Sequence, residues 1–198
     1  MALACSCDFL EFAFPSPEPP SWHAQVERWY QMDSASYGLC ELWTKMPDQV
    51  APSLIFLASP SGCNEMDQQF IKSGAASPSK FVYTLPSTRS SALLQLMNWQ
   101  GPLFCVQNDP STIVSALGEA AALVEGQQTI WIVGSQHTDQ NLAFRICLGN
   151  TGSLALQPSK AETTDVVTDV QLLNWLKKPS SSLNLNTGWI LQTSGGLA

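Results

Sequence analysis

Apolar runs bounded by prolines and glycines are the feature that most constrains the fold of this chain. The run from Ser53 to Ser59 lies between Pro52 and Pro60 and is apolar at every internal position. Such a run is typical of a strand buried on both faces of a parallel sheet. Farther along, the segment from Leu103 to Gly134 predicts a strand, a helix at Ser111 to Glu125 and a second strand. That order is typical of a βαβ unit, and the sequence therefore predicts an α/β fold.

The N-terminal third predicts a strand followed by helices. Phe9 to Phe14 is short and apolar and stops at a proline-rich loop, which indicates an edge strand. Apolar residues recur at helical spacing from Ser21 to Lys45 and favour two helices with Ser34 as a cap between them. A further helix is expected from Thr88 to Met97.

The C-terminal third predicts mainly strands. Leu142 to Leu148 and Ser153 to Gln157 form two short apolar segments separated by a turn with a glycine at each end, which favours a hairpin. Val166 to Leu176 is compatible with either a strand or a helix, and Leu183 to Leu191 indicates a final strand.

Composition excludes several classes of partner. The 198 residues are 44% apolar and carry a formal net charge of −7, with nine Lys and Arg in all. Without a basic patch, the chain is not expected to bind nucleic acid or an anionic membrane surface. The sequence has no apolar run of the roughly 18 residues that span a bilayer. We expect one cytoplasmic domain over residues 1–198.

The cysteines do not indicate a metal site or a disulfide framework. All six are dispersed and none forms a C-x-x-C pair. Cys5 and Cys7 make a C-x-C pair, but His23 and His137 are the only histidines that could complete a site. We therefore expect most of the cysteines, including Cys105, to be buried small apolar residues, with neither metal nor cofactor bound.

Four segments together resemble the centre of the N-terminal half of the β-ketoacyl synthases. In chain order they are Ser77-Pro78-Ser79-Lys80-Phe81, Gly101-Pro102, Gly118-Glu119-Ala120 and Trp131-Ile132-Val133-Gly134-Ser135. The resemblance extends over about Ser53 to Ser135. It implies a thiolase-like, layered α/β domain equivalent to the N-terminal half of a ketosynthase.

The resemblance also implies that the nucleophile of this family is missing. Counted from Gly101-Pro102 and again from Gly118-Glu119-Ala120, the family's cysteine falls on Pro110. The family's catalytic histidine pair belongs to a C-terminal half that 198 residues do not accommodate, and neither His23 nor His137 matches it. The chain is similar to small ketosynthase chain-length-factor-like proteins from bacterial clusters for aryl polyene and related polyketide pigments. We expect a non-catalytic accessory subunit.

The same resemblance implies an interface. In ketosynthases, the strand before the cysteine turn pairs with its counterpart across the dimer axis. That strand corresponds here to Leu103, Phe104, Cys105, Val106 and Gln107. It predicts pairing with an active ketosynthase or with a second copy, unless the strand lies centrally within one subunit. Acyl carrier protein is a further implied partner, although an acidic chain would need a local basic spot to dock it.

A second hypothesis is a small α/β acyl hydrolase or acyltransferase. Its nucleophile would be Cys63 or a serine, and His137, just after the strongest predicted strand, would be the general base. Open α/β sheets place their sites at the carboxyl ends of strands, where His137 is expected.

Overall fold

Eight strands and five α-helices make up the described part of the chain. The computed structural model describes residues 2–46, 51–59, 64–74, 85, 88–124, 128–137, 141–160 and 165–193. The strands are β1 (Leu3–Phe12), β2 (Leu54–Ala58), β3 (Leu103–Val106), β4 (Ile130–His137), β5 (Asn141–Gly149), β6 (Leu154–Pro158), β7 (Ser182–Leu185) and β8 (Trp189–Thr193). The helices are α1 (Ser34–Lys45), α2 (Asn64–Lys72), α3 (Thr88–Leu96), α4 (Thr112–Leu123) and α5 (Asp169–Lys177).

All of these strands belong to one mixed sheet. Their order across the sheet is β3-β2-β4-β5-β1-β6-β8-β7. The pairs β2–β3 and β2–β4 are parallel, and the other neighbours are antiparallel. This confirms the α/β class. The βαβ unit of β3, α4 and β4 is present, but β2 lies between its two strands.

Helices cover both faces of the sheet. On one face, residues of α4 and α5 such as Ile113, Leu117 and Leu172 form one apolar cluster with Phe56 of β2. On the other face, α1 and α3 pack against Ile55 and Leu57. Successive residues of β2 thus enter opposite apolar layers, as the period of two in a strand requires. The predicted burial of this strand on both faces is confirmed.

The position of β1 overturns two expectations. β1 pairs with β5 on one side and with β6 on the other, so it is an interior strand and not an edge strand. For the same reason β5 and β6 do not form a hairpin, since β1 runs between them. Gly152, in the connection between them, packs directly against the backbone of Cys5, where a Cβ atom would collide.

Three local predictions also change. Residues 21–25 form turns and not a helix. Ser34 is the first residue of α1, and its N-cap is Asp33, whose carboxylate accepts a 2.7 Å hydrogen bond from Ser36 N. The segment left open between strand and helix contains α5, preceded by a capping box of Thr168 and Gln171. The expected final strand is a hairpin of β7 and β8, with Gly188 at φ +79° in its turn.

A buried ion pair ties three elements together. Arg89 of α3 lies with its Nε 3.0 Å from Asp33 Oδ2 and donates a 2.8 Å hydrogen bond from Nη1 to Ser59 Oγ, just after β2. Arg89 and Asp33 are 6% and 3% exposed. Because each charge is buried, removing one partner would leave the other uncompensated.

A substitution at Gly134 tests how closely the central strands pack. A Cβ atom at this position of β4 would lie 2.5 Å from the ring of Phe144 and 2.6 Å from Ala58 O. Gly134→Ala is therefore expected to lower the free energy of unfolding by about 1–3 kcal/mol, measured by urea denaturation.

Gly149→Ala, in neighbouring β5, is the matched control. Its Cβ would meet atoms no nearer than 3.5 Å. Its stability should stay the same or rise by up to about 1 kcal/mol. Equal destabilisation by both substitutions would contradict this account of the packing.

Candidate functional site

The candidate site is the turn from β3 to α4, at the carboxyl ends of the parallel strands, where open α/β sheets place their sites. Pro110 is exposed in this turn, and helix α4 begins at Thr112 with Ser111 in the N-cap position. Pro110 therefore precedes the helix, which the sequence predicted to begin at Ser111. The Ser111 side chain does not cap α4, because it donates a 2.8 Å hydrogen bond to the carbonyl of Val167.

Asn108 holds the turn from its other side. Its backbone N–H donates to Thr112 Oγ1 at 2.9 Å, and its Nδ2 donates to Ser115 Oγ at 2.7 Å. Its carbonyl accepts a 2.7 Å bond from Ser111 N. Both ends of the turn are thus fixed to the first turn of the helix.

The cap of α4 comes from the first residue of α5. Asp169 Oδ1 accepts hydrogen bonds from Ile113 N at 2.7 Å and from Val114 N at 3.3 Å. The backbone N–H of Asp169 donates to the carbonyl of Pro110 at 2.8 Å. A carboxylate at this position satisfies otherwise unpaired N–H groups and interacts favourably with the positive end of the helix dipole.

Burial opposes ionisation of this carboxyl group. Asp169 is 3% exposed, and no donor from the described part of the chain reaches its Oδ2. Burial raises the pKa of Asp169 to about 6, although the hydrogen bonds from Ile113 and Val114 act in the opposite direction. Asp109, a nearby negative charge, raises this pKa further.

The strand that enters this turn lies at the edge of the described sheet. Of the described strands, only β2 pairs with β3. Phe104 is 48% exposed and stacks on Phe56 with ring centroids 5.3 Å apart. Cys105 is exposed, which corrects the expectation that it is buried, and Gln107 lies just beyond the strand.

Backbone hydrogen bonds show which groups of β3 face outward. Ile55 N donates to the carbonyl of Pro102, and Ser59 N donates to that of Val106. In a parallel ladder alternate residues bond to the same neighbour, so residues 102, 104 and 106 face β2. The N–H and C=O groups of Leu103 and Cys105 consequently point to the open edge.

Four of the described thiols have a raised pKa and are not activated as nucleophiles. Burial raises the pKa of the Cys40 thiol above its usual range and that of Cys147 to about 11. A hydrogen bond with Cys5, together with burial, raises the pKa of Cys7. The protein around the exposed Cys105 raises its pKa as well. A thiol with a raised pKa carries little thiolate at neutral pH.

The residues of the hydrolase hypothesis are not brought together in the described part of the chain. Cys63 lies outside the described residues. His137 ends β4, where its backbone pairs with Asn141, but its side chain is also outside the described part. The hypothesis remains a prediction.

Comparison with known proteins addresses the fold. No protein-family model matches the sequence, and no curated protein matches it. A chain in the structure of the ketosynthase ApeO in complex with its chain length factor ApeC, from Xenorhabdus doucetiae, is similar in structure. The TM-score is 0.67 at 14% sequence identity, over 97% of this chain and 99% of that chain. The fold is thiolase-like.

This thiolase-like fold confirms the architecture expected from the sequence. None of the described helices has the length and apolar character needed to cross a bilayer. Sequence reasoning did not find Asp169. The Thr168–Gln171 capping box indicates the start of a helix there, but no local pattern indicates that Asp169 caps a helix 56 residues earlier.

Asp169 predicts a pH dependence of stability. Its pKa in the folded chain, about 6, is above the ordinary value of about 4, so the folded state binds this proton more tightly. Its stabilising contribution is complete below pH 4 and is lost as the pH rises through 6. Relative to Asp169→Asn, the free energy of unfolding of the unmodified chain should fall by roughly 1–3 kcal/mol between pH 4 and pH 7.

Urea denaturation at several pH values measures this difference. Asp109→Asn is the control, since it removes the same charge from an exposed neighbour. The unmodified chain and Asp109→Asn should differ less in free energy of unfolding than the unmodified chain and Asp169→Asn do, because solvent and salt screen an exposed charge. A constant or rising difference for Asp169→Asn would show that the Asp169 pKa is not raised.

Proposed function

We propose that this chain is a non-catalytic, ketosynthase-like accessory subunit of the chain-length-factor kind. In this proposal, residues 1–198 form one domain equivalent to the N-terminal half of a ketosynthase. The observation that carries it is β3, which lies at the edge of the described sheet in a fold shared with a chain of a ketosynthase–chain length factor complex. An exposed edge that is partly apolar favours pairing with another chain.

The turn after β3 supports a role without catalysis. Pro110 is the position on which the family's cysteine falls, and proline carries no nucleophile. The donors at the start of α4, which would stabilise an anion in an active enzyme, are bonded instead to Asp169. The described cysteines with shifted pKa values are shifted upward, away from activation.

Pairing would extend the sheet across the interface. The outward N–H and C=O groups of Leu103 and Cys105 supply the hydrogen bonds, and Phe104 supplies an apolar contact beside them. The partner we propose is an active condensing enzyme, which offers the corresponding strand. A homodimer through the same strand is the alternative assembly.

The role of such a pair is to complete and shape an acyl-binding tunnel in the partner. We propose polyketide synthesis of the aryl polyene type, in bacteria, as the class of pathway. Acyl carrier protein would then bind the assembled complex. The net charge of −7 on this chain disfavours direct docking of an acidic carrier on its surface.

Cys105→Pro tests the interface. Proline removes an N–H group that faces the open edge and does not bond to β2, so the strand should persist while pairing is blocked. With an active condensing enzyme of the proposed pathway class as partner, the variant should bind at least about tenfold more weakly, measured by calorimetry or size-exclusion chromatography.

Cys105→Ser is the matched control, because it changes the same side chain and keeps the backbone donor. It should bind the condensing enzyme as the unmodified chain does. Circular dichroism and thermal unfolding check that both variants fold. Equal binding by the proline and serine variants would exclude β3 as the interface.

The isolated chain is expected to have no condensing or decarboxylating activity. Purified alone, it should neither decarboxylate malonyl thioesters nor condense them, because it has no nucleophile at position 110. A cysteine-directed ketosynthase inhibitor should label no unique site, as judged by peptide mass spectrometry. Clear turnover by the isolated chain would overturn the non-catalytic assignment.

A further inference from the structure

The start of helix α4 is occupied by a carboxyl group from a distant part of this chain. The first N–H groups of a helix have no partner within the helix and readily bind negative groups. Two of them, on Ile113 and Val114, point to Asp169 Oδ1 at 2.7 and 3.3 Å. The carboxylate belongs to this chain and is buried at the site.

Asp169 is not needed by its own helix. The start of α5 is satisfied by Thr168 and Gln171, whose side chains and backbone groups bond reciprocally at 2.8 and 3.3 Å. The Asp169 carboxylate is therefore available to cap α4.

Two more bonds fix the same arrangement. Asp169 N donates to the carbonyl of Pro110 at 2.8 Å, and Ser111 Oγ donates to that of Val167 at 2.8 Å. The carboxylate is thus held against the turn by bonds on both sides of it.

We propose that Asp169 acts as an internal anionic ligand that fills the anion-binding start of α4 and prevents a thiolate or an oxyanion from being stabilised at position 110. The inference deepens the proposed non-catalytic function. It goes beyond the missing cysteine, because it predicts that restoring a thiol at Pro110 would not by itself restore an activated nucleophile.

The charges around the turn support this. A second anion there would lie near Asp169, whose backbone N–H bonds to the carbonyl of Pro110 and whose Oδ2 lacks a donor in the described part of the chain, and next to Asp109 in the sequence. Like charges at short range in a partly desolvated site disfavour a second ionisation. Asp109 is exposed, so solvent and salt screen its contribution more strongly than that of Asp169.

A thiol introduced at the turn reports on the site directly. Position 110 is exposed and accessible to iodoacetamide. The comparison is between P110C and P110C/D169N, each with Cys105→Ser to remove the exposed neighbour. Removing the Asp169 charge should lower the pKa of the introduced thiol by about one unit, so that its alkylation at pH 7 becomes up to about tenfold faster.

P110C/D109N is the matched control, since it removes an equal formal charge from an exposed neighbour. Its alkylation rate should change by less than about threefold because of screening. Peptide mass spectrometry assigns the rate to the introduced thiol. Equal thiol pKa values in P110C and P110C/D169N would overturn the proposal, as would an equal response to D109N and D169N.

A measurement on the unmodified chain keeps the proposal testable if D169N does not fold. The amide resonances of Ile113 and Val114 should titrate together in NMR spectra, with a midpoint near pH 6, as the carboxyl group bonded to them ionises. If neither amide titrated at any acidic pH, the carboxyl group would not be bonded to them and the proposal would be overturned. Neither readout involves a partner, so failure to bind a condensing enzyme would count against the proposed function alone.

Discussion

The sheet depends on strand β1, which joins the strands β3, β2, β4 and β5 on one side to β6, β8 and β7 on the other. β1 pairs with β5 from Ala4 to Phe12 and with β6 along its other edge. Its register is fixed chemically, because Asp8 lies directly opposite Arg145 and binds its guanidinium at 2.7 Å. Arg145 also lies over the ring of Trp131, 4.7 Å from its centroid. A slip by one residue would turn Asp8 toward the apolar layer under α4.

The interior position of β1 also determines which strands lie at the edges of the described sheet. With β1 and β5 in the interior, the ends of the described sheet are β3 and β7. β3 runs parallel to β2, and the chain continues from its carboxyl end into the turn at Pro110 and then into α4. The strand proposed for pairing and the site proposed to be filled by Asp169 are therefore consecutive in the chain. A partner bound along β3 would lie close to this turn.

The sequence predicted elements whose signals are local and failed where contacts are distant. The consecutive apolar residues of β2 indicate a strand buried on both faces. The alanine and leucine content of Thr112–Leu123 indicates a helix. The supposed hairpin failed because the turn between β5 and β6 does not reveal that β1, from the other end of the chain, lies between them. Cys105 was expected to be buried because a short apolar segment does not show whether its strand has one neighbour or two.

The chemistry of the Pro110 turn also depends on a distant contact. Proline at 110 lacks an N–H group but keeps its carbonyl, and the carbonyl is the group that accepts the bond from Asp169 N. The turn therefore loses nothing that this arrangement uses, whereas an oxyanion hole would need donors at the same place. The residue at position 110 and the carboxylate at position 169 are two consistent parts of one arrangement. Both favour a turn built around an internal anion over one built to receive a substrate.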